Sequence, residues 1–306
     1  MRYQRTIKRE IEISGIGLHS GKKVRIRISP ASIDTGVVFI RNDVNNRPNY
    51  IKAKVNNVIS TDLCTTLKYN GTAIHTIEHL MASIAGLNID NLYIEVDSSE
   101  IPIMDGSAFP FTSLLLNSGI EEQKKIQSCM RITREIKIEE GNKKIIVKPA
   151  STNKILYTID FDHHIVSKQS ISYYPSQKGF IKEIAKARTF AFLKDIDEIR
   201  SRGMARGGSL DNAIVIGNNE ILNNDGLRYK DEFVRHKVLD LVGDLSLLGM
   251  PVLGKVISYC SGHSLNIKLA AKILESPDSW VIEGASSKKL YSKEKEYNLS
   301  LNPVFT

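Results

Sequence analysis

The sequence predicts an α+β protein whose two halves are built to one plan. Strand-like alternation and helix-like periodicity follow each other in the same order on both sides of a polar stretch, residues 121–127 (EEQKKIQ), which we interpret as a linker. The 306 residues suffice for two domains of the usual size of about 100–200 residues. We therefore expect one α+β domain at residues 1–122 and a second at 127–306. Because the halves share element order rather than residues, two unrelated α+β domains remain an alternative.

Each half is predicted from its own hydrophobic pattern. In the first half, residues 24–28, 37–40 and 92–96 alternate like strands, and helices are expected at about 76–85 and near 111–116. In the second half, strands are expected at 131–138, 144–148 and 254–259, and helices at about 231–248 and 265–275. A glycine-rich insert at residues 188–219 separates strand from helix there, and inserts of this length are usually functional loops or lids.

Composition limits the class of protein. Apolar residues make up 42% and charged residues 25%, which is typical of a soluble globular protein. The first residues contain no apolar signal segment, and no stretch approaches 18 uncharged apolar residues. We therefore expect a cytoplasmic protein without stable membrane insertion.

Cysteine count and charge narrow the site chemistry. Cys64, Cys129 and Cys260 are widely spaced without a C-x-x-C pair, which rules out a cysteine-based zinc site and argues against a disulfide framework. A net charge of +8 favours an anionic partner, although the basic residues form no single patch in the sequence. A basic nucleic-acid-binding module is therefore an alternative class, but we expect no nucleic-acid partner.

The predicted helix at 231–248 carries a polar stripe. His236, Asp240 and Asp244 lie at i, i+4 and i+8, and so on one face of a helix that is apolar almost all round. A buried helix must satisfy one imidazole and two carboxylates on that face. A histidine and an aspartate at i and i+4 can both reach one zinc ion. A structural His–Asp pair or a solvated face would explain the same pattern.

A second cluster lies at residues 75–79 (HTIEH). Taken literally it is the H-x-x-E-H signature, with His75 and His79 as zinc ligands and Glu78 as base. Its functional core could equally be Glu78 and His79 alone. A catalytic zinc needs three protein ligands and one open position, which His79, His236 and Asp240 supply if the two halves face each other.

Two loops are weaker candidates. His263, between a predicted strand and a predicted helix, is placed where a side chain can point into a cleft, although a lone loop histidine is more often a surface residue. Residues 15–21 (GIGLHSG) lack the spacing of a phosphate-binding loop and a following helix, so we interpret them as a turn.

Taken together, these segments resemble the UDP-3-O-acyl-N-acetylglucosamine deacetylases over essentially the whole chain. The matching segments are residues 15–21 (GIGLHSG), 76–80 (TIEHL), 101–107 (IPIMDGS), 187–190 (ARTF), 233–240 (FVRHKVLD) with 243–245 (GDL), and 261–263 (SGH). The resemblance implies two similar domains, each a β-sheet layered against α-helices, with the active site between them.

The resemblance also implies a role for each site residue. His79, His236 and Asp240 would bind Zn2+, Glu78 would be the general base, His263 the general acid or cationic stabiliser oriented by Asp244, and Thr189 would help hold the oxyanion. His75 occupies a position that is not a ligand in that family.

Substrate contacts follow from the same resemblance. Phe161 would stack near the uracil, and Lys143 and Lys237 would face the diphosphate. Cys260 stands where relatives often carry a lysine, which puts part of the phosphate contact in doubt. Leu18, the apolar loop 190–199 with Phe190 and Phe192, and residues 209–215 would form a passage for the 3-O-acyl chain, although these residues could also be core.

The implied reaction is hydrolysis of the N-acetyl group of UDP-3-O-acyl-N-acetylglucosamine, giving the free amine and acetate, the committed step of lipid A synthesis. Hydrolysis of an unactivated amide needs a strong nucleophile at neutral pH, which zinc supplies by lowering the pKa of bound water to about 7. A monomer is expected, and ferrous iron in place of zinc stays open. The alternative is another zinc amidohydrolase acting on a different acetylated sugar or a peptide.

Overall fold

The computed structural model describes residues 2–44 and 49–284, in which strands and helices are mixed along the chain. This confirms the α+β class. The strands are β1 Tyr3–Ile7, β2 Ile11–Ile16, β3 Lys23–Pro30, β4 Val37–Arg41, β5 Tyr50–Lys52, β6 Val58–Ser60, β7 Thr66–Tyr69, β8 Thr72–Ile74, β9 Leu92–Val96, β10 Ile120–Ile126, β11 Cys129–Ile132, β12 Ile136–Glu140, β13 Lys143–Lys148, β14 Lys154–Asp160, β15 Lys168–Tyr173, β16 Phe190–Phe192, β17 Ile214–Ile216, β18 Val252–Leu253, β19 Lys255–Tyr259 and β20 Trp280–Glu283. The helices are α1 Glu78–Gly86, α2 Phe109–Asn117, α3 Gln177–Gly179, α4 Leu193–Ser201, α5 Glu232–Ser246 and α6 His263–Leu274, with short 3-10 turns at Val55–Asn57 and Pro277–Ser279 and a π turn at Phe180–Ile184.

Two five-stranded sheets share one strand arrangement. The first has the order β2-β3-β9-β4-β5 and the second the order β12-β13-β19-β14-β15. Each sheet contains one parallel pair of strands. It joins the central strand to the next strand in the order, β9 to β4 in the first sheet and β19 to β14 in the second. The remaining neighbours in both sheets are antiparallel.

The sheets bury one face because their strands alternate. In β3, Val24, Ile26 and Ile28 are buried, while Lys23, Arg25 and Arg27 between them are exposed. The buried side chains of β3 and β9 belong to one hydrophobic core with those of α1 and α2. Helices α5 and α6 lie against the second sheet, and α1 packs against α5.

The contact between α1 and α5 depends on a glycine. A Cβ built at Gly243, near the C-terminal end of α5, would lie less than 3.0 Å from the main-chain carbonyl of Glu78, the first residue of α1. Glycine usually weakens a helix interior, so its value here is the close approach that it permits. This approach sets the distance between the histidine and glutamate of α1 and the polar stripe of α5.

Most predicted elements are confirmed, with shifted ends. The predicted strands 24–28, 37–40 and 92–96 lie within β3, β4 and β9. The first predicted helix begins at Glu78 rather than at Thr76, because Thr76 has φ of 59°, a left-handed conformation that a right-handed helix does not contain.

Three sequence-based interpretations are wrong. The stretch taken as a linker is mostly strand β10, which pairs antiparallel with β1. Residues 131–138 form parts of two strands, β11 and β12, which belong to different sheets. The loop expected at 190–199 is strand β16 followed by helix α4, whose Ile196 and Ile199 are only half-buried.

Within residues 2–44 and 49–284, none of the helices is both long and apolar enough to span a bilayer.

Candidate active site

Two helices from different halves of the chain bring together a histidine, a second histidine and an aspartate. His79 lies in the first turn of α1, and His236 and Asp240 lie one turn apart on α5. Oδ1 of Asp240 is 3.4 Å from Nε2 of His236 and 3.9 Å from Nε2 of His79. One ligand atom from each of the three residues lies within 4.8 Å of the others. All three side chains are buried.

The donor atoms of this cluster fit a divalent cation. Oδ1 of Asp240 is buried and has no hydrogen-bond partner among the described residues, although an unpaired buried oxygen is costly. Burial lowers the pKa of His79 to about 3 and also lowers the pKa of His236, so both rings are neutral with a free lone pair. Two neutral imidazoles and one carboxylate are ligands that zinc prefers, and ligation needs those protonation states.

Asp240 is held as a carboxylate by its surroundings. Its Oδ2 accepts a hydrogen bond from Nζ of Lys237 at 2.8 Å. Burial raises the pKa of Asp240, but the neighbouring His236 and Lys237 outweigh burial and lower it. Lys237 therefore neutralises one oxygen while the other faces the two imidazoles.

The ring of His236 is oriented by the loop that carries Thr189, directly before β16. Nδ1 of His236 lies 3.1 Å from the carbonyl oxygen of Ala187, which leaves Nε2 toward Asp240. One turn earlier on α5, Oε1 of Glu232 accepts the main-chain N–H of Arg188 at 3.0 Å and its guanidinium at 2.9 Å. Glu232 is 0% exposed and Arg188 2%, so this is a buried ion pair. Residues 187–189 are thus fixed at two points along α5.

Glu78 is a buried carboxylate beside the cluster. Burial raises its pKa to about 7, with Asp240 adding to the rise and His263 opposing it. Its Oε2 accepts the main-chain N–H of Thr65 at 3.0 Å. A carboxylate with a pKa near neutrality suits proton transfer at neutral pH.

His263, the first residue of α6, belongs to a hydrogen-bonded network. Its Nδ1 lies 2.8 Å from Oδ2 of Asp244, which also accepts Nδ2 of Asn266 at 2.9 Å. The Thr65 hydroxyl donates to the other oxygen of Asp244 at 2.6 Å. Burial lowers the pKa of His263, but Asp244 and Asp240 outweigh it and raise the pKa to about 9. Because Nδ1–H donates to Asp244, Nε2 carries the proton that is available to other groups.

These side chains surround one cavity of about 520 Å³. Of the predicted site residues, it is lined by Leu18, Glu78, His79, Lys143, Thr189, Phe190, His236, Lys237, Asp240 and His263. Asp244 stands behind His263 and does not line the cavity. Thr189 is fixed by its main chain, whose N–H donates to Gly106 and whose carbonyl accepts Ile214, both at 2.8 Å.

Phe161 and Phe192 lie beside the cavity rather than in its lining. The Phe161 ring is 5.9 Å from Phe190 and 5.6 Å from Phe192, and the Phe192 ring is 5.2 Å from His163. Cys260 has φ of 52°, and its Sγ lies 3.9 Å from the carbonyl oxygen of Asp160.

Sequence reasoning missed Thr65 and Asn266. Thr65 hydrogen-bonds both Glu78 and Asp244, and Asn266 bonds Asp244. Asn266 could have been found from the sequence, because it stands one helical turn after His263. Thr65 had no local signal, since it stands outside the helices and its bond to Asp244 spans 179 residues of the chain.

A buried His–His–Asp cluster with a carboxylate and a protonated histidine in one cavity is the arrangement of a metal-dependent hydrolase. Comparison with known proteins agrees. The model of the UDP-3-O-acyl N-acetylglycosamine deacetylase (LpxC) family matches residues 4–275. The chain belongs to this family, as its motifs predict.

Curated relatives cover nearly the whole chain. A UDP-3-O-acyl-N-acetylglucosamine deacetylase of Nitratiruptor sp. is 48% identical over 284 residues, which is 93% of this chain and 94% of the relative. The proteins of the same name from Histophilus somni and Myxococcus xanthus are 49% and 44% identical, over 90% and 94% of this chain and 92% and 91% of theirs.

Proposed function

We propose that this chain hydrolyses the N-acetyl group of UDP-3-O-acyl-N-acetylglucosamine, releasing acetate and leaving the free amine of the glucosamine. Family membership over residues 4–275 supports the reaction and its place in lipid A synthesis. The observation that carries the chemistry is the unpaired Oδ1 of Asp240, which faces two neutral imidazoles in a buried site.

His79, His236 and Asp240 would hold the metal, with zinc as the proposed ion. A divalent cation there supplies a Lewis acid that lowers the pKa of water and polarises the acetyl carbonyl. Glu78 takes the proton of the attacking water. Its pKa of about 7 makes it partly ionised at neutral pH, and Thr65 holds one carboxylate oxygen so that the other is available.

His263 delivers a proton to the leaving amine from Nε2. Asp244 accepts a hydrogen bond from Nδ1–H and keeps the ring cationic. The cationic ring also places positive charge beside the acetyl carbonyl, whose oxygen becomes the oxyanion. The Thr189 hydroxyl is the proposed donor to that oxyanion. Its main chain is fixed between Gly106 and Ile214, so the hydroxyl needs little reorganisation.

The finer substrate contacts are proposals of the same kind. Lys143 and Lys237 line the cavity and supply positive charge for the diphosphate. Phe161, which packs against Phe190 and Phe192 beside the cavity, would stack near the uracil. Leu18 and Phe190 would contact the 3-O-acyl chain. The identical order of the two five-stranded sheets supports two duplicated domains, divided near β10. A cytoplasmic monomer stays a prediction.

An acetate-release assay combined with metal analysis tests the proposal. Purified protein should contain about one equivalent of metal, the expected occupancy of a three-ligand site, and should release acetate from the UDP-linked, 3-O-acylated substrate. A panel of other acetylated sugars and N-acetylated peptides should give much lower kcat/KM. Preference for one of those would favour a different amidohydrolase with the same metal ligands.

A further inference from the structure

The turn that follows β2 carries Leu18 to the cavity. The turn is closed by main-chain bonds from Gly17 to Lys22 at 2.9 Å and from Gly21 to Gly17 at 3.0 Å. Gly17 also forms an isolated β-bridge with Pro102. Leu18 therefore stands at the tip of a tight turn of residues 17–21, and its position depends on what holds that turn.

A buried carboxylate outside the cluster holds it. Glu100 is 1% exposed, and its two oxygens accept the successive main-chain N–H groups of His19 and Ser20, each at 2.8 Å. Hydrogen bonds to an ionised acceptor are short and strong, and two parallel bonds also fix orientation. The carboxylate fits because residue 17 is glycine: a Cβ there would lie less than 3.0 Å from Oε2 of Glu100.

Glu100 is itself fixed to the segment that leads into α1. Its Oε1 accepts the Thr76 hydroxyl at 3.0 Å. Its backbone forms a parallel bridge with His75, whose N–H donates to Ser99 at 2.9 Å and whose carbonyl accepts Ile101 at 3.0 Å. Glu100 thereby fixes the position of the turn relative to the start of α1, the helix that carries Glu78 and His79.

The other side of the turn receives the chain that leaves α4. Gly207 donates to the Leu18 carbonyl at 2.9 Å, and Arg206 donates to the His19 carbonyl at 3.2 Å. A Cβ at Gly207 would lie less than 3.0 Å from the carbonyl oxygen of Gly17, so the two loops touch backbone to backbone. The segment after α4 is placed by the turn that Glu100 holds.

We propose that Glu100 is a positioning residue for the acyl chain of the substrate. Glu100 fixes Leu18 at the cavity and holds the turn against which residues 205–207 pack. The apolar side of the cavity is thereby placed to contact a long acyl chain on the sugar. The inference rests on the proposed function, since it concerns how the 3-O-acyl group is recognised. Among the described residues, the hydrogen-bond partners of the Glu100 carboxylate are His19, Ser20 and Thr76, and none of these is a proposed ligand or proton-transfer group. Glu100 therefore acts on the acyl chain through Leu18 and residues 205–207.

The test compares two substrates in one variant. The readout is the ratio of kcat/KM on the 3-O-acylated UDP-N-acetylglucosamine to kcat/KM on UDP-N-acetylglucosamine itself. In Glu100→Gln the amide oxygen can accept one N–H of the turn, while the amide NH₂ faces the other. We expect the ratio to fall by about tenfold, the scale of one lost charge-assisted hydrogen bond, with bound metal and the rate on UDP-N-acetylglucosamine retained.

A second variant approaches the same contact from the other side. Gly207→Ala leaves Glu100 untouched but separates the two loops, so it should also lower the ratio, and it decides alone if Glu100→Gln fails to fold. The control is Asn91→Ala. Asn91 is 1% exposed and likewise accepts a main-chain N–H, that of Gly36 at 2.8 Å, so it should lose stability without changing the ratio.

An unchanged ratio in folded Glu100→Gln, or equal losses on the two substrates, would overturn the role of Glu100. If that variant does not fold, an unchanged ratio in Gly207→Ala would overturn it. The proposed function fails by a different result: a parent protein that releases no acetate from the acylated substrate, or that shows no preference for it.

Discussion

At the scale of one residue, the two carboxylate oxygens of Asp240 have different surroundings. Its Oδ2 is neutralised by Lys237 at 2.8 Å, and its Oδ1 faces the rings of His79 and His236 without a partner among the described residues. Removing any one of the three proposed ligands leaves two, which is too few for a stable zinc site.

The first prediction concerns these ligands. His79→Ala, His236→Ala and Asp240→Ala should each reduce bound zinc well below one equivalent, measured on purified protein by elemental analysis. His75→Ala is the matched control, because Nδ1 of His75 lies 3.0 Å from the Thr66 hydroxyl and His75 is not part of the cluster. Full zinc in all three ligand variants would contradict the site, and loss of zinc in His75→Ala would restore the literal H-x-x-E-H motif.

The second prediction separates proton transfer from metal binding. Glu78→Ala and His263→Ala should retain zinc and substrate binding but lose at least about 10²-fold in kcat, the usual scale for acid–base groups. Zinc content and substrate affinity are measured beside turnover. His164→Ala, which removes an exposed imidazole, is the control for histidine loss. Near-parent turnover in either site variant would remove that residue from the mechanism.

The third prediction concerns pH and the stability of the fold. Burial lowers the pKa of His75, with Arg41 adding to this and Glu100 opposing it, so the ring is held neutral in the folded state. In the unfolded chain a histidine has a pKa of about 6.5. Unfolded protein therefore binds more protons below that pH, and the stability that the neutral ring contributes above it is lost as pH falls.

His75→Gln should flatten this dependence. Denaturant unfolding at pH 7.5 and pH 5.5 gives the loss in free energy of unfolding between the two conditions, and the loss should be smaller in the variant than in the parent. Each proton accounts for at most about 1.4 kcal/mol per pH unit. An equal or larger loss in the variant would mean that His75 is not held neutral in the folded protein.

At the scale of elements, the site depends on how closely α1 approaches α5. Gly243→Ala should improve helix propensity by about 1 kcal/mol, yet its Cβ would meet the Glu78 carbonyl and force the helices apart. We expect weaker zinc binding and lower turnover, measured by chelator competition and acetate release. Gly86→Ala is the matched control, since its Cβ would be equally crowded, against the Phe180 ring. Loss of zinc affinity in both variants alike would indicate general destabilisation instead of a specific helix contact.

At this scale, the sequence could predict an element where the residues of that element alone carry a polar or apolar pattern. The stripe of His236, Asp240 and Asp244 was visible because all three lie on one helix and stand out against apolar neighbours. Strand β10 was not, since its partner β1 lies over a hundred residues away and β10 itself is largely exposed, so it has no apolar alternation. Helix α4 was missed for the same reason: none of its residues is buried.

At the scale of the whole molecule, the chemistry lies where the two halves meet. Glu78 and His79 come from the helix that precedes β9, the central strand of the first sheet, and His236, Asp240 and His263 come from helices against the second sheet. Residue spacing alone could not establish that these helices touch, because contact depends on the long-range packing of α1 on α5. The family motifs implied it, and the Gly243 contact gives the physical reason.

The last prediction concerns the acyl chain, which involves both halves, since Leu18 comes from the first and Phe190 from the second. Each buried CH₂ contributes about 0.8 kcal/mol. A chain of about a dozen carbons should then contribute several kcal/mol after the loss of its flexibility is discounted.

Substrate without the chain should lose several orders of magnitude in kcat/KM, although the metal content of the enzyme is unchanged. Leu18→Asp places a charge in the lining of the cavity and should weaken the acylated substrate much more than UDP-N-acetylglucosamine. Tyr174→Asp, at an aromatic residue that is 57% exposed, is the control and should affect neither substrate. Comparable rates of the parent enzyme on the two substrates would mean that no acyl passage exists, and an amidohydrolase of another acetylated substrate would then be the better interpretation.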